Sequence, residues 1–131
     1  MSMSRTEAVL ATIGEQATRA EEQLAAAERL ATATDRLRVT GHSGDGSVEV
    51  TVDGVGQLVD VAFRGRLGDT TPHALRAAVL RAHGRAREAL TAQVGRLAEE
   101  AYGPGSPAAA AITSAYTRVH GAAGATRGAE S

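Results

Sequence analysis

The fold is decided by the stretch Gly46-Ser-Val-Glu-Val-Thr-Val-Asp-Gly-Val-Gly-Gln-Leu-Val-Asp-Val-Ala-Phe63. Apolar residues recur at every second position in each half of this stretch, which is typical of strands with one buried face. Asp53-Gly54, between the halves, is typical of a tight hairpin turn. A weaker pattern at Arg38–His42 predicts a third strand before the hairpin. The packed face, which we expect to serve both folding and dimerisation, is predicted to comprise Val48, Val50, Val52, Val59, Val61 and Phe63.

Two long helical segments flank these strands. Ser4 followed by Glu7 has the form of a capping box, which predicts a helix from Arg5 to about Leu37. Thr71-Pro72 predicts a second helix start, because proline has no N–H to lose at the first helical position. This helix is expected to end near Tyr102, before Gly103-Pro104-Gly105, and a short helix is expected from Ala108 to about His120.

Most apolar residues of the chain have small side chains. Apolar residues make up 43% of the 131 residues, yet aromatic residues make up only 2%, so alanine supplies much of the apolar surface. Small or apolar residues form a stripe along the first helix, at Leu10, Ile13, Ala17, Ala20, Leu24, Ala27, Ala31 and Thr34. A thin core and an apolar stripe predict association with a second copy. We expect one domain at residues 1–102 and a partly disordered extension at residues 103–131.

Composition also excludes several classes of protein. The chain has no cysteine, which excludes disulfides, thiol catalysis and cysteine-ligated zinc. No run of apolar residues reaches the roughly 18 that a membrane span needs, and the N-terminus lacks the layout of a signal peptide. We therefore expect a cytoplasmic protein that does not contact membranes.

Charge separates the predicted sheet from the second helix. Residues 39–71 carry two arginines and five acids, a net −3, whereas residues 72–101 carry five arginines and three acids, a net +2. The arginines of the second helix are Arg76, Arg81, Arg85, Arg87 and Arg96. Arg81, Arg85 and Arg96 fall within an arc of about 60° at about 100° per residue, and such a face could neutralise phosphates. The alternative is an ordinary solvated helix face, because Glu88 and Glu99 lie beside the same arc.

Other constellations are better explained by structure than by chemistry. His42, Ser43 and Asp45 have the residue types of a hydrolytic triad, but neighbours in one glycine-rich turn cannot easily converge, so we expect no catalysis. The histidines of the helices, His73, His83 and His120, share no metal-ligand spacing, and no cofactor is expected. Gly41-x-x-Gly44-x-Gly46 precedes a strand rather than a helix, which favours a hairpin connection over a phosphate loop.

The order helix, three strands, helix, with Gly46-x-Val48-x-Val50-x-Val52-Asp53 and Gly56-x-Leu58-x-Asp60-Val61, resembles the YbaB/EbfC family of bacterial nucleoid-associated proteins. The hairpin form and the arginine- and alanine-rich last helix resemble its actinobacterial branch. The resemblance spans roughly Arg5 to Glu100. It implies an α+β fold of order α-β-β-β-α, with a three-stranded antiparallel meander between two long helices and a tweezer-like homodimer.

In function, the resemblance implies non-catalytic, low-specificity binding of double-stranded DNA at the nucleoid. The five arginines of the second helix are the DNA-contacting candidates. A protein-binding adaptor is the alternative, since two long alanine-lined helices also offer grooves for a helical protein partner.

Overall fold

The computed structural model describes residues 4–122. Its elements follow the order α1 (Arg5–Asp35), β1 (Arg38–His42), β2 (Val48–Asp53), β3 (Leu58–Phe63), α2 (Pro72–Tyr102) and α3 (Pro107–His120), with a 3-10 turn at Leu67–Asp69. The three strands form one antiparallel sheet in the order β1-β2-β3. The predicted α+β meander between two long helices is confirmed, as is the short third helix.

Local chemistry fixes where α1 begins and ends. Ser4 Oγ accepts a hydrogen bond from Glu7 N at 3.1 Å and donates one to the Glu7 carboxylate at 3.0 Å, so the predicted cap is present. The helix ends two residues before the predicted Leu37, because Arg36 N and Leu37 N turn back to Ala33 O and Thr34 O. Such tight last turns are common where a chain leaves a helix.

Within residues 4–122, most of α1 is not packed against another element. The helix has 31 residues, which corresponds to about 46 Å, yet its buried residues are Ala26 and Leu30. Residues 5–25 are exposed throughout, including most of the predicted apolar stripe. The stripe is therefore not part of the core of the described chain.

A bulged turn connects β2 to β3. The Asp53 carboxylate accepts hydrogen bonds from Val55 N at 3.0 Å and Gln57 N at 2.9 Å, and Asp53 N donates to Gln57 O at 2.9 Å. The register pairs Val48 with Phe63 and Val50 with Val61, then shifts between Thr51 and Val52. The Asp-Gly hairpin predicted from the sequence is present, with a β-bulge that the alternation did not indicate.

Helix α2 covers β1 and β2 but not the edge strand β3. Thr71 Oγ1 accepts from Ala74 N at 3.0 Å and Pro72 starts the helix. The fully buried core joins Val39 of β1 and the β2 valines to one face of α2, and comprises Val39, Val48, Val50, Val52, Ala82, Ala86, Leu90 and Val94. Small side chains bring helix and sheet close together, so close that a Cβ on Gly41 would overlap with the backbone of Ala82 and Ala86.

Helix α3 packs along α2 and reaches both α1 and the hairpin. Ala109 forms a second apolar cluster with Leu30 of α1 and Ala98 of α2. Ile112 and Tyr116 pack against the main core. The extension from residue 103 thus contributes a helix to the packed fold. Residues 123–131 of this extension, which was predicted to be partly disordered, lie outside the described residues.

Candidate nucleic-acid interface

The five α2 arginines do not form one surface. Arg76, Arg81, Arg85 and Arg96 are exposed, whereas Arg87 is half-buried beneath α3. Arg81 and Arg85 are one helical turn apart, and Arg96 lies about 16 Å farther along the helix axis. The predicted outer face of Arg81, Arg85 and Arg96 is therefore accessible, and Arg87 has a separate environment.

Arg81 and Arg85 lie beside the turn that joins β1 to β2. Arg85 Nη1 donates to His42 O at 3.2 Å, which holds the guanidinium at the end of the sheet. Arg81 lines an open hollow together with Ser43, Gly44 and Asp45. These contacts anchor the basic face of α2 to one end of the sheet.

An ionised carboxylate accompanies this basic face. The backbone N–H of Ser47, followed by the hydroxyls of Ser47 and Ser43, holds the pKa of Asp45 at about 2. Asp45 therefore remains negatively charged at neutral pH. Because it lines the same hollow as Arg81, the local potential is weaker than the arginine count suggests.

A further arginine, Arg64, lies at the same end of the sheet and was missed by the sequence analysis. Its backbone N donates to Ser47 O at 2.8 Å, and its Nη2 lies 3.2 Å from Glu49 Oε2. His42 Nε2 contacts the same carboxylate oxygen at 2.7 Å. The sequence held a signal for this placement. If the strand pairing of the hairpin is continued one residue past Phe63, Arg64 lies beside the β1–β2 turn.

Arg87 makes internal contacts with the end of α3. Its Nε donates to His120 Nδ1 at 3.2 Å, and its Nη2 donates to Val119 O. The guanidinium thus supplies a partner for a carbonyl in the last turn of α3, where helix carbonyls lack intrahelical donors. In this conformation Arg87 is a structural cation.

The six predicted interface residues fall into two groups. Val48, Val50 and Val52 are fully buried under α2 of their own chain, so they can contribute to a dimer only by supporting the sheet. On β3, Val61 is half-buried, but Val59 is 49% exposed and Phe63 44% exposed. Leu58, which was not in the predicted set, is 54% exposed. The uncovered apolar surface of the sheet is therefore on β3.

The residues with catalytic side chains do not converge. Ser43 Oγ donates to Asp45 Oδ1 at 3.0 Å and accepts from Val48 N at 3.0 Å, which makes it a turn residue. His42 is exposed and engages Glu49 instead. Within residues 4–122, no three His, Cys, Asp or Glu side chains form a group that could hold a metal ion. No helix in this part of the chain has the length and apolarity needed to cross a membrane.

A protein-family model matches most of the chain. The model of the YbaB/EbfC DNA-binding family matches residues 7–104, about three quarters of the chain. The match includes nearly all of α1, the sheet and α2. Helix α3 lies beyond the matched residues. No curated protein matches the chain. The chain belongs to the YbaB/EbfC DNA-binding family.

Proposed function

We propose that this protein binds double-stranded DNA with low sequence specificity, as a non-catalytic homodimer that associates with the nucleoid. The carrying observation is the exposed arginine face of α2, at Arg81, Arg85 and Arg96, in a chain that belongs to a DNA-binding family. Arg76 and Arg64 are additional exposed cations.

The chemistry of these side chains favours contact with phosphates. A guanidinium presents several N–H donors in a planar fork that matches phosphate oxygens. Phosphate contacts carry no sequence information directly, which supports low specificity. The three aromatic residues of the chain are Phe63, Tyr102 and Tyr116, none of which lies on the outer arginine face of α2. Stacking on splayed bases is therefore disfavoured relative to duplex binding.

The sheet is a poor surface for DNA. Glu49 and Asp53 on β2 and Asp60 on β3 carry the acidic charge of the sheet, and the 39–71 region has two arginines against five acids. Repulsion between these carboxylates and phosphates directs DNA towards the helices. The uncovered apolar side chains of β3 remain available for the second copy, and dimerisation doubles the number of arginines offered to one duplex.

A salt-dependent titration with random-sequence duplex DNA tests the proposal. The double variant Arg81→Ala and Arg96→Ala removes two exposed cations from α2. The matched control, Arg36→Ala with Arg118→Ala, removes the same charge from exposed positions outside α2. We expect the α2 variant to bind more weakly, with the salt slope reduced by about one for each lost phosphate contact, and the control to bind nearly as the natural protein does.

Absence of binding at low salt contradicts the proposal. Equal losses in the two variants also contradict it, because the effect then reflects net charge rather than the α2 face. Two unrelated duplex sequences that differ more than tenfold in affinity would contradict low specificity.

A protein-binding adaptor is the second candidate. It is favoured by the exposed half of α1, where Val9, Leu10, Ile13 and Leu24 are each more than half exposed. If these residues receive a helical protein partner, replacing Leu10 and Ile13 by alanine abolishes that association and leaves DNA binding unchanged. The adaptor hypothesis is supported if the natural protein does not bind DNA and the Leu10 and Ile13 variant loses a protein partner.

A further inference from the structure

The C-terminal helix α3 is fastened at its end by contacts from two other elements. From α2, Arg87 donates to His120 Nδ1 and Val119 O, and Thr91 Oγ1 donates to Gly121 O at 2.9 Å. From the hairpin, Gly54 O accepts the Tyr116 hydroxyl at 2.8 Å. The end of α3 is thus held by side chains of α2 and by a hydrogen bond to the hairpin.

His120 contacts both Arg87 of α2 and the hairpin turn. Its ring lies over the hairpin turn, where a Cβ at Gly56 would overlap with it, and its centroid is 5.6 Å from that of Tyr116. Nδ1 accepts the N–H of Arg87 Nε at 3.2 Å. An imidazole nitrogen accepts only when it carries no proton, so this contact requires neutral His120 with its proton on Nε2.

The surroundings of His120 disfavour a second proton. Burial and the nearby Arg87 guanidinium lower the pKa of His120, with a small contribution from His83, against an opposing hydrogen bond to the Val55 backbone. Burial and Arg87 also lower the pKa of His83, whose buried Nε2 has no hydrogen-bond partner among the described residues. Burial raises the pKa of Tyr116, and the charge of Asp53, the hairpin carboxylate that faces this end of α3, raises it further. Glu88 is the other acid close by in sequence on α2.

We propose that Arg87 and His120 form a proton-sensitive latch, which holds the last turn of α3 on α2 while His120 is neutral and releases it when His120 is protonated. Protonation removes the acceptor at Nδ1 and places a second positive charge beside Arg87. The lost contact then becomes a repulsion in a partly buried site. The rest of α3 stays anchored by Ala109 and Ile112, which lie in the apolar clusters.

The direction of the pH dependence follows from the lowered pKa. A histidine with a lower pKa in the closed form binds fewer protons there than in the open form, so closure is favoured as pH rises. The stabilisation of the closed latch is complete when the pH is above the ordinary pKa of histidine. It is lost as the pH falls through the lowered pKa of His120. While the latch is closed, Arg87 cannot contact a ligand bound to α2. When the latch opens, the Arg87 side chain becomes accessible to solvent. Because α3 lies beyond the residues that match the family, the latch is a feature added to the matched core.

Nuclear magnetic resonance of the full chain tests the latch directly. At about pH 8 we expect the Nε2–H tautomer of His120 and rigid amides at residues 117–121, with order parameters near 0.85. At about pH 5 we expect a protonated ring and order parameters below about 0.6 for the same amides. The amides of residues 109–113 are expected to stay rigid at both pH values.

The variant His120→Asn separates the latch from general acid effects. Asparagine has no ionisable group, so the mobility of residues 117–121 should no longer change with pH, whether the turn is held or free. The matched control is His73→Asn, at an exposed histidine in the first turns of α2, which should keep the transition. Equal mobility of the natural protein at both pH values, an Nδ1–H tautomer at high pH, or a transition that persists in His120→Asn would each overturn the proposal.

Discussion

At the scale of single residues, Gly41 determines how closely the sheet and α2 approach. A Cβ there would overlap with Ala86 N and Ala82 O and would lie 2.8 Å from Ala86 Cα. All three atoms belong to the backbone, so relief requires moving the helix rather than a side chain. We expect Gly41→Ala to lower the free energy of unfolding by about 3 kcal/mol, the upper part of the usual range for overpacking. Urea unfolding at fixed protein concentration measures this change.

Gly44 provides the control for this substitution, three residues along in the adjoining turn. A Cβ at Gly44 would meet only Arg81 Nη1, at 3.9 Å, which is ordinary contact with a flexible side chain. Gly44→Ala should therefore change the free energy of unfolding by less than about 1 kcal/mol. Similar losses in the two variants would show that glycine flexibility, rather than the close approach to α2, explains the effect.

At the scale of elements, one hydroxyl contributes a hydrogen bond to the docking of α3 on the hairpin. Tyr116 Oη donates to Gly54 O at 2.8 Å, while the ring packs against the core. Tyr116→Phe removes the donor and keeps the ring, so we expect a loss of about 1 kcal/mol in the free energy of unfolding. Tyr102→Phe is the control, because Tyr102 is half-buried and its hydroxyl makes no hydrogen bond within residues 4–122. Thermal unfolding that is equally unaffected by both variants would contradict the role of the Tyr116 contact.

The beginnings of the elements were predictable because their signals are local. The Ser4–Glu7 cap, the Thr71-Pro72 start and the strand alternation each involve residues within a few positions of one another. The burial of α1 was not predictable in the same way. Ala26 and Leu30 are its buried residues, and they lie outside the predicted stripe because the crossing with α2 and α3 selects them. Helix crossings depend on tertiary packing, which periodicity in one helix does not define.

At the scale of the whole molecule, only part of the surroundings of the candidate arginines could be predicted from the sequence. Helical angles group Arg81, Arg85 and Arg96 on one face, since this grouping needs only the geometry of one helix, and all three side chains are exposed. The burial and contacts of Arg87 depend on α3, because Arg87 bonds to His120, which lies 33 residues later in the chain. The place of Arg64 depends on strand register. Contacts between elements that are distant in sequence therefore account for both differences.

The assembly of the molecule leads to the last prediction, which concerns β3. Helix α2 buries Val48, Val50 and Val52 but leaves Leu58, Val59 and Phe63 about half exposed on the edge strand β3. An uncovered apolar edge strand favours pairing or packing with another chain. We expect Phe63→Ala to weaken the proposed homodimer at least tenfold in sedimentation equilibrium, which corresponds to about 1.4 kcal/mol. Val119→Ala, at an apolar residue of α3 that is 62% exposed, should leave the dissociation constant unchanged. A natural protein that is monomeric at high concentration would contradict the dimer. An unaltered dimer in Phe63→Ala would contradict an interface on β3 and would leave the exposed half of α1 as the surface to test for self-association.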